Sequence, residues 1–288
     1  MTGARVGSAA VLALGSSLLW GTADFLGGTA ARRLPAVAVM GASQVLSLAG
    51  LAVLAALTGA WRGPLDWVPW SVAGGLVGMV ALVSFYAALA EGTMGVVAPI
   101  AALGVVVPVV TGVVSGERPG PLQVAGVGVA VLGVVLASGP EASAGGPRLP
   151  ARPVLLAVVA AVGFGVVLVT LAAGGRSDPL MTLVGMRLTS SVAVLSLGAA
   201  LRSAGGVTRQ DLPLLAVVGA ADAGANATFA LASTSGMVSV VAVLGSLYPA
   251  VTVVLARLVH GERLRPVQNV GVVGALVGVG LIAAGGGA

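Results

Sequence analysis

The chain has 288 residues, of which 58% are hydrophobic and only 8% are charged, and its mean hydropathy is +1.10. A soluble globular domain carries roughly 25% charged residues, so this composition excludes a protein with a water-facing surface. The net charge of +5 comes from arginines scattered through short loops, which argues against nucleic-acid binding, and the absence of cysteine excludes disulfides and thiol chemistry.

The first half of the chain contains five apolar segments, each close to the ~20 residues that a membrane-spanning helix needs. They run over 7–28, 36–58, 69–90, 94–115 and 120–138. The first follows Arg5 and leads into further apolar sequence. We therefore interpret it as a retained span and not as a cleaved signal peptide.

The second half repeats this organisation. Its apolar segments run over 154–174, 179–201, 212–233, 236–259 and 266–284. The stretch 139–153 between the halves is rich in Pro, Gly and Ser and is typical of a linker. The sequence therefore predicts a first five-helix repeat over 1–138, a linker over 139–153 and a second five-helix repeat over 154–288.

A short polar signature occurs once in each half, 145 positions apart. The two copies read Glu117-Arg118-x-x-Pro121-x-Gln123-x-x-Gly126 and Glu262-Arg263-x-x-Pro266-x-Gln268-x-x-Gly271. Because five spans per half is an odd number, the second half must enter the membrane from the opposite side. The predicted fold is an all-α integral membrane protein of ten transmembrane helices, arranged as two inverted five-helix repeats around a central cavity.

Glycine is abundant, and two groups of glycines lie in corresponding spans. Gly126 to Gly133 lie in the fifth span and Gly274-x-x-x-Gly278 in the tenth. In lipid, small residues permit close packing of helices, so these glycines predict helix contacts. Loop arginines number nine on one side of the membrane and four on the other, which favours both termini outside.

Ionisable residues inside spans are costly and therefore mark candidate functional sites. Asp222 and Asn226 share one helix face at i and i+4 and could bind a substrate amine, carry a proton or make an interhelical hydrogen bond. Arg187 could hold a substrate carboxylate, pair with Asp222 or extend to the surface. Gln44 aligns with Arg187 to within one position of the repeat.

The first span offers a further carboxylate and an aromatic ring. Asp24 shares a helix face with Trp20, and it is either a proton-linked group near the pocket mouth or a solvated residue at the span end. Tyr86 and Tyr248 are further candidates, because a few aromatics suit a pocket for an organic solute.

Two further features bear on motion and on turns. Pro108 and Pro249 lie near the middle of corresponding spans and are either hinges or fixed kinks. Glu117 and Glu262 are interpreted as structural residues that tie helix ends together through ion pairs or helix capping.

Several motifs together resemble those of a known family. They are Trp20-Gly21, Phe85-Tyr86-Ala87-Ala88-Leu89 leading into Gly92 to Pro99, and the turns Gly116-Glu117-Arg118 and Gly261-Glu262-Arg263. Over residues 10 to 284 the chain resembles the EamA-type exporters of the drug/metabolite transporter superfamily. The resemblance implies two five-helix bundles with a central cavity that move small metabolites across the cytoplasmic membrane, often outward. It also implies both termini in the cytoplasm, in conflict with the arginine count.

The predicted function is secondary transport of a small organic metabolite, with an amino acid or related zwitterion favoured, by alternating access and as an exporter. Coupling to protons through Asp222 or Asp24 is a hypothesis, because low-dielectric surroundings favour a neutral carboxyl group. The alternatives are an exporter of organic cations or drugs and an uncoupled facilitator or channel of the same fold.

Other functional classes find no support in the residues. The chain has no lysine and hence no Walker motif, and a single histidine, His260, at a span end. With no metal-spaced carboxylates, no enzyme, cofactor or metal site is predicted. The expected partners are the solute, membrane lipid and protons, with no nucleic acid.

Overall fold

The structure, a computed structural model, describes residues 2–114, 116, 120–138, 151–200, 206–235, 245 and 247–285. The described residues form eleven α-helices, and the predicted all-helical fold is confirmed. The helices are Thr2–Ala31 (α1), Ala36–Thr58 (α2), Val68–Glu91 (α3), Met94–Ala102 (α4), Val106–Val114 (α5), Pro121–Ser138 (α6), Ala151–Gly175 (α7), Pro179–Ala200 (α8), Leu212–Ser235 (α9), Tyr248–His260 (α10) and Pro266–Gly285 (α11).

Proline and glycine set many of the helix ends. Pro121, Pro179 and Pro266 are the first residues of their helices, where a missing backbone N–H costs nothing. Gly59 and Gly261 end α2 and α10 with φ of 69° and 65°, a left-handed conformation that glycine adopts without strain. These residue types explain why the predicted limits 36–58 and the starts at 179 and 266 match the observed helices.

The outer surface of the bundle is apolar. Among the described residues, five helices are long and apolar enough to cross a membrane. Leu57, Val114 and Leu258 are each more than 70% exposed on helix surfaces, as expected of side chains that face lipid.

The last helices of the two repeats, α6 and α11, pack tightly through glycine. A Cβ placed on Gly126 would lie 2.7 Å from the Ile282 backbone nitrogen, and one on Gly133 would lie 2.7 Å from the Gly271 carbonyl oxygen. A later residue of α6 therefore meets an earlier residue of α11, so these helices are antiparallel. The predicted glycine contacts are confirmed.

The corresponding helices α2 and α8 are also antiparallel. Gly41 lies against Val194, whereas the later residue Gln44 contacts the earlier residue Arg187. Corresponding helices of the two repeats thus run in opposite directions, which is the geometry of an inverted repeat.

Individual contacts recur with an offset of 144 residues. Gly21 of α1 packs against the Tyr248 carbonyl at the start of α10, and Gly165 of α7 packs against the Gly104 carbonyl. Both numbers of the first contact differ by 144 from those of the second. The pseudo-two-fold axis that relates the two repeats therefore also relates individual residue contacts.

The fourth span is not one continuous helix. A 3₁₀ turn, Leu103–Val105, separates α4 from α5, and Pro108 lies in the first turn of α5. Pro249 likewise lies in the first turn of α10. First-turn amides have no intrahelical partner, so these prolines lie at the starts of helical segments and cost no backbone hydrogen bond. The choice between hinges and fixed kinks stays a prediction.

Parts of several predicted features lie outside the described residues. They include Glu117 and Arg118, most of the predicted linker (139–150) and the first part of predicted span nine (236–244). Helix α7 begins at Ala151, so the last three residues of the predicted linker are helical.

Candidate functional site

Three polar side chains inside the spans, Asp24, Asp222 and Asn226, depart from the repeat. At an offset of 144, Asp24 corresponds to Leu168, and Asp222 corresponds to Gly78. Asn226 likewise corresponds to a leucine in the first repeat. The scaffold is repeated while these carboxylate and amide groups are not, as expected if they serve a ligand and not the packing of helices.

Arg187 is the centre of a four-residue cluster. Its Nη1 donates to Gln44 Oε1 at 2.8 Å, and its Nη2 lies 2.7 Å from Asp222 Oδ2. Asn226 Nδ2 donates to the Asp222 carbonyl oxygen at 2.7 Å and, more weakly, to Asp222 Oδ1 at 3.4 Å. Of the alternatives for Arg187, the structure has the pair with Asp222 and not extension to the surface.

The hydrogen bond between Gln44 and Arg187 also locates the cluster. These residues are 143 positions apart, almost the repeat offset, so they occupy nearly equivalent positions in the two repeats. Equivalent positions of a two-fold pair can touch only next to the symmetry axis. The cluster therefore lies next to the axis that relates the two repeats, and inverted-repeat transporters bind their solutes at the interface of their repeats.

The Arg187–Asp222 pair is held in the protein interior but not sealed. The two side chains are 19% and 22% exposed, and the Arg187 Nε atom is buried without a hydrogen-bond partner among the described residues. A buried N–H group without a partner costs about 1–3 kcal/mol. The guanidinium thus retains a buried, unused donor at Nε.

Asp24 supplies a second carboxylate next to this cluster. It lies two turns before the end of α1, which continues to Ala31, and it is half-buried instead of solvated at a span end. Asp24 and Asp222 are close enough for their charges to repel, and Asp24 has no ion-pair partner within the part of the chain that the structure describes. With Asp24 and Asp222 ionised, Arg187 leaves the site with one excess negative charge.

Aromatic rings from three helices meet beside Asp24. The Trp20 ring lies 5.4 Å from the Phe229 ring and 6.1 Å from the Tyr248 ring, centroid to centroid. Tyr248 is also close enough to interact with the Asp24 charge. Sequence reasoning identified Trp20 and Tyr248 as candidates but did not single out Phe229.

The Trp20–Phe229 contact has a counterpart in the other half. Phe164 and Phe85, which correspond to Trp20 and Phe229 at an offset of 144, lie 5.5 Å apart. This pair of rings is therefore a repeated packing feature. Tyr248, which corresponds to Gly104, is the aromatic group that departs from the repeat.

Tyr86 lies deeper in the bundle than the other aromatic candidate residues. It is 3% exposed, its ring packs on Gly27, and it interacts electrostatically with both Asp24 and Asp222. The structure thus brings six predicted site residues together, with Trp20 and Tyr248 on the side of Asp24. The six are Gln44, Arg187, Asp222, Asn226, Asp24 and Tyr86. Among the described residues, no group of three or more His, Cys, Asp or Glu side chains could hold a metal ion.

Sequence reasoning missed the unpartnered hydroxyls of two serines. Ser47 in α2 and Ser191 in α8 are buried, and neither Oγ atom has a hydrogen-bond partner among the described residues. The two serines are 144 positions apart, and they follow Gln44 and Arg187 in the chain by three and four positions. Their matching positions could have revealed them.

One solved structure has the same architecture as this chain. No curated protein gives a significant match. That solved structure, described only as the crystal structure of a protein, aligns with a TM-score of 0.67 at 20% identity, over 96% of this chain and 96% of its own. At that identity the likeness concerns the fold alone.

A family model identifies the chain more closely. The EamA-like transporter family matches residues 7–139 and again residues 151–284, so the two matches cover nearly the whole chain. A transporter family moves solutes without converting them, which sets this chain apart from enzymes. The chain is a multi-pass membrane protein with two EamA domains and belongs to the EamA-like transporter family.

Proposed function

We propose that the chain is a secondary transporter of the cytoplasmic membrane that exports a small organic zwitterion, such as an amino acid, by alternating access. The observation that carries this proposal is the Arg187 cluster on the pseudo-two-fold axis, with a second carboxylate, Asp24, beside it. Opposite charges at one central site suit a solute that itself carries both charges.

Each end of the solute has a matching group. The substrate ammonium binds Asp24, which has no ion-pair partner among the described residues, next to the faces of Trp20 and Tyr248. The substrate carboxylate accepts a hydrogen bond from Arg187 Nε, the unused donor of the guanidinium. Binding thereby satisfies a donor that is costly to leave unpaired.

A ligand panel tests this pairing of charges. Purified protein is melted with a set of amino acids and, for each, the amine that lacks the carboxylate and the acid that lacks the ammonium. A ligand at 100 times its dissociation constant stabilises by about 2.7 kcal/mol, so binding is visible as a raised melting temperature. We expect stabilisation by zwitterions alone, whereas stabilisation by the acids alone would contradict the proposal.

A second candidate is the export of organic cations. It is favoured by the fact that Arg187 is already paired with Asp222, which leaves Asp24 beside aromatic rings as the uncompensated charge. Cations bind aromatic faces and carboxylates together. In the same panel, stabilisation by the amines as strongly as by the amino acids would select this candidate.

Proton coupling through Asp24 is part of the proposal. A carboxyl group that releases the ammonium when it takes up a proton exchanges one cation for the other. In proteoliposomes we expect Asp24→Asn to lose solute movement driven by a pH gradient, with Asp66→Asn, outside the cluster, as the control. Unchanged pH-driven transport in Asp24→Asn would exclude this role.

A further inference from the structure

One end of the bundle carries most of the ion pairs between described residues. Helices α1, α3 and α10 finish at this end, and α2, α4, α7, α9 and α11 begin there, so we name it the Glu262 end. Three pairs lie here, and each joins the first repeat to the second. They are Arg32–Glu262 at 2.8 Å, Arg33–Asp211 at 3.0 Å and Arg152–Glu91 at 2.8 Å.

Two of these pairs lie within helix pairs that pack along their length. Arg152–Glu91 joins the start of α7 to the end of α3, and these helices also meet at Gly163 and Ala81 farther along. Arg33–Asp211 joins the α1–α2 turn to the start of α9, which packs on both α1 and α2. These two ion pairs therefore add to helix–helix contacts that already join the same elements.

Asp211 is additionally fixed by its own turn. Its Oδ2 accepts hydrogen bonds from the Thr208 backbone N–H at 2.9 Å and from the Thr208 hydroxyl at 2.8 Å. These hydrogen bonds, together with the Arg33 guanidinium, hold the pKa of Asp211 below its usual range. At neutral pH this pair is a permanent part of the α8–α9 turn.

Glu262 differs because it joins three separate elements. It lies in the turn between α10 and α11, its Oε1 binds Arg32 just after the end of α1, and its Oε2 accepts the Gly95 N–H at 3.2 Å. Gly95 is in the first turn of α4, so the carboxylate also stabilises a helix N-terminus. One side chain, 14% exposed, thus holds together α1, α4 and the α10–α11 turn.

Two of the helices that meet at Glu262 are short, α4 with 9 residues and α10 with 13. Helix α4 ends at the 3₁₀ turn, and α10 begins at Tyr248 against Gly21. A cavity of about 30 Å³, lined by Gly95, Arg257, Glu262 and Asn269 among others, adjoins the carboxylate, so the packing there is incomplete. Helices α1 and α10 also contact each other at this end, through the Thr29–His260 hydrogen bond at 2.9 Å and the Phe25–His260 ring pair, so opening breaks these contacts together with those of Glu262.

We infer that Glu262 is the latch of a gate that holds this end of the transporter closed in the present conformation. When the Arg32 and Gly95 contacts break, α4 and α10 part from each other and from α1, which opens the central site to this side of the membrane. The inference rests on the alternating-access transporter proposed above.

Thiol labelling tests the latch without a known substrate. The chain has no cysteine, so Ala256→Cys adds a single reporter, at a position that is fully buried in α10 and whose carbonyl oxygen accepts the Glu262 N–H at 3.4 Å. In detergent-purified protein we expect Glu262→Gln to raise the rate of maleimide labelling about three- to tenfold, since it removes one partly exposed ion pair and one charged helix cap. Glu91→Gln, at the same end, is the matched control and should leave the rate unchanged.

Hydrogen exchange provides a second measurement that needs no reporter. In Glu262→Gln we expect faster exchange confined to 94–102 and 248–260, whereas a general loss of stability would speed exchange in all helices. Equal labelling in Glu262→Gln and Glu91→Gln, or uniform exchange, would overturn the latch. Failure of the transporter proposal would be distinguishable, because the ligand panel would give no stabilisation while the labelling rates still differed.

Discussion

Replacing either charge of the Arg187–Asp222 pair is expected to abolish solute binding and to destabilise the protein. Loss of one partner of a fully buried pair costs about 3–5 kcal/mol. Because these side chains are 19% and 22% exposed, we expect a smaller loss of about 1–3 kcal/mol for Arg187→Gln or Asp222→Asn. The cost arises because the remaining charge keeps its burial and loses its counter-ion. Thermal unfolding of the purified variants measures it.

The double variant Arg187→Gln with Asp222→Asn separates structure from function. It leaves no unpaired charge, so the double variant should lose less stability than the two single variants lose together. If the cluster served only packing, the double variant would regain solute binding together with its stability. We expect instead a stable protein that no amino acid stabilises, and recovery of ligand-dependent melting would exclude the cluster as the binding site.

Helix positions were predictable because membrane thickness and chain chemistry fix them independently of the tertiary fold. The hydrocarbon core sets the length of each span, and residues such as Pro179, Pro266 and Gly59 set individual ends. The repeat was visible because its turns are polar within apolar sequence. Its inverted orientation followed from the odd number of spans, and the antiparallel pair α6 and α11 bears this out.

The break within the fourth span was not predictable from hydropathy. The run 94–115 is uniformly apolar, and its two prolines are compatible with a kinked helix as well as with two segments. The backbone leaves the α-helical pattern at Leu103–Val105, where the Gly104 carbonyl lies against Gly165 of the other repeat. That contact is tertiary, so no local pattern in the fourth span announces it.

The candidate site was predictable in its residues but not in its pairing. Arg187 and Asp222 stood out because each is costly in a membrane, yet periodicity alone left several partners open for Arg187. The alignment of Gln44 with Arg187 could also have predicted that these two residues contact each other. In an inverted repeat, aligned residues on axis-adjacent helices meet each other, so the alignment together with the symmetry predicts their contact.

The Gly261-Glu262-Arg263 turn connects more of the structure than the sequence indicates. The interpretation of Glu262 as a residue that ties helix ends through an ion pair and a cap is confirmed by its contacts with Arg32 and Gly95. What the sequence lacked was the identity of the tied elements. Only the packing of α1, α4 and α10 around the turn distinguishes a latch from an ordinary helix connection.

A methyl group at Gly133 is expected to destabilise the protein more than any other single small substitution in α6. The added Cβ would overlap the Ala275 backbone nitrogen and lie 2.7 Å from the Gly271 oxygen, and backbone atoms cannot move aside as a flexible side chain can. Overpacking of this kind costs about 1–3 kcal/mol or more. In lipid no hydrophobic drive compensates, because separated helices meet equally apolar lipid.

Gly128 provides the matched control for this prediction, since it lies in the same helix and a Cβ there would meet nothing within 4 Å. Gly128→Ala should leave the melting temperature in detergent unchanged or slightly raised, because alanine is the better helix former. Gly133→Ala should lower it markedly, and transport should fall with it, since α6 and α11 join the two repeats. If both variants melted alike, the close approach of α6 and α11 would not contribute to the stability of the protein.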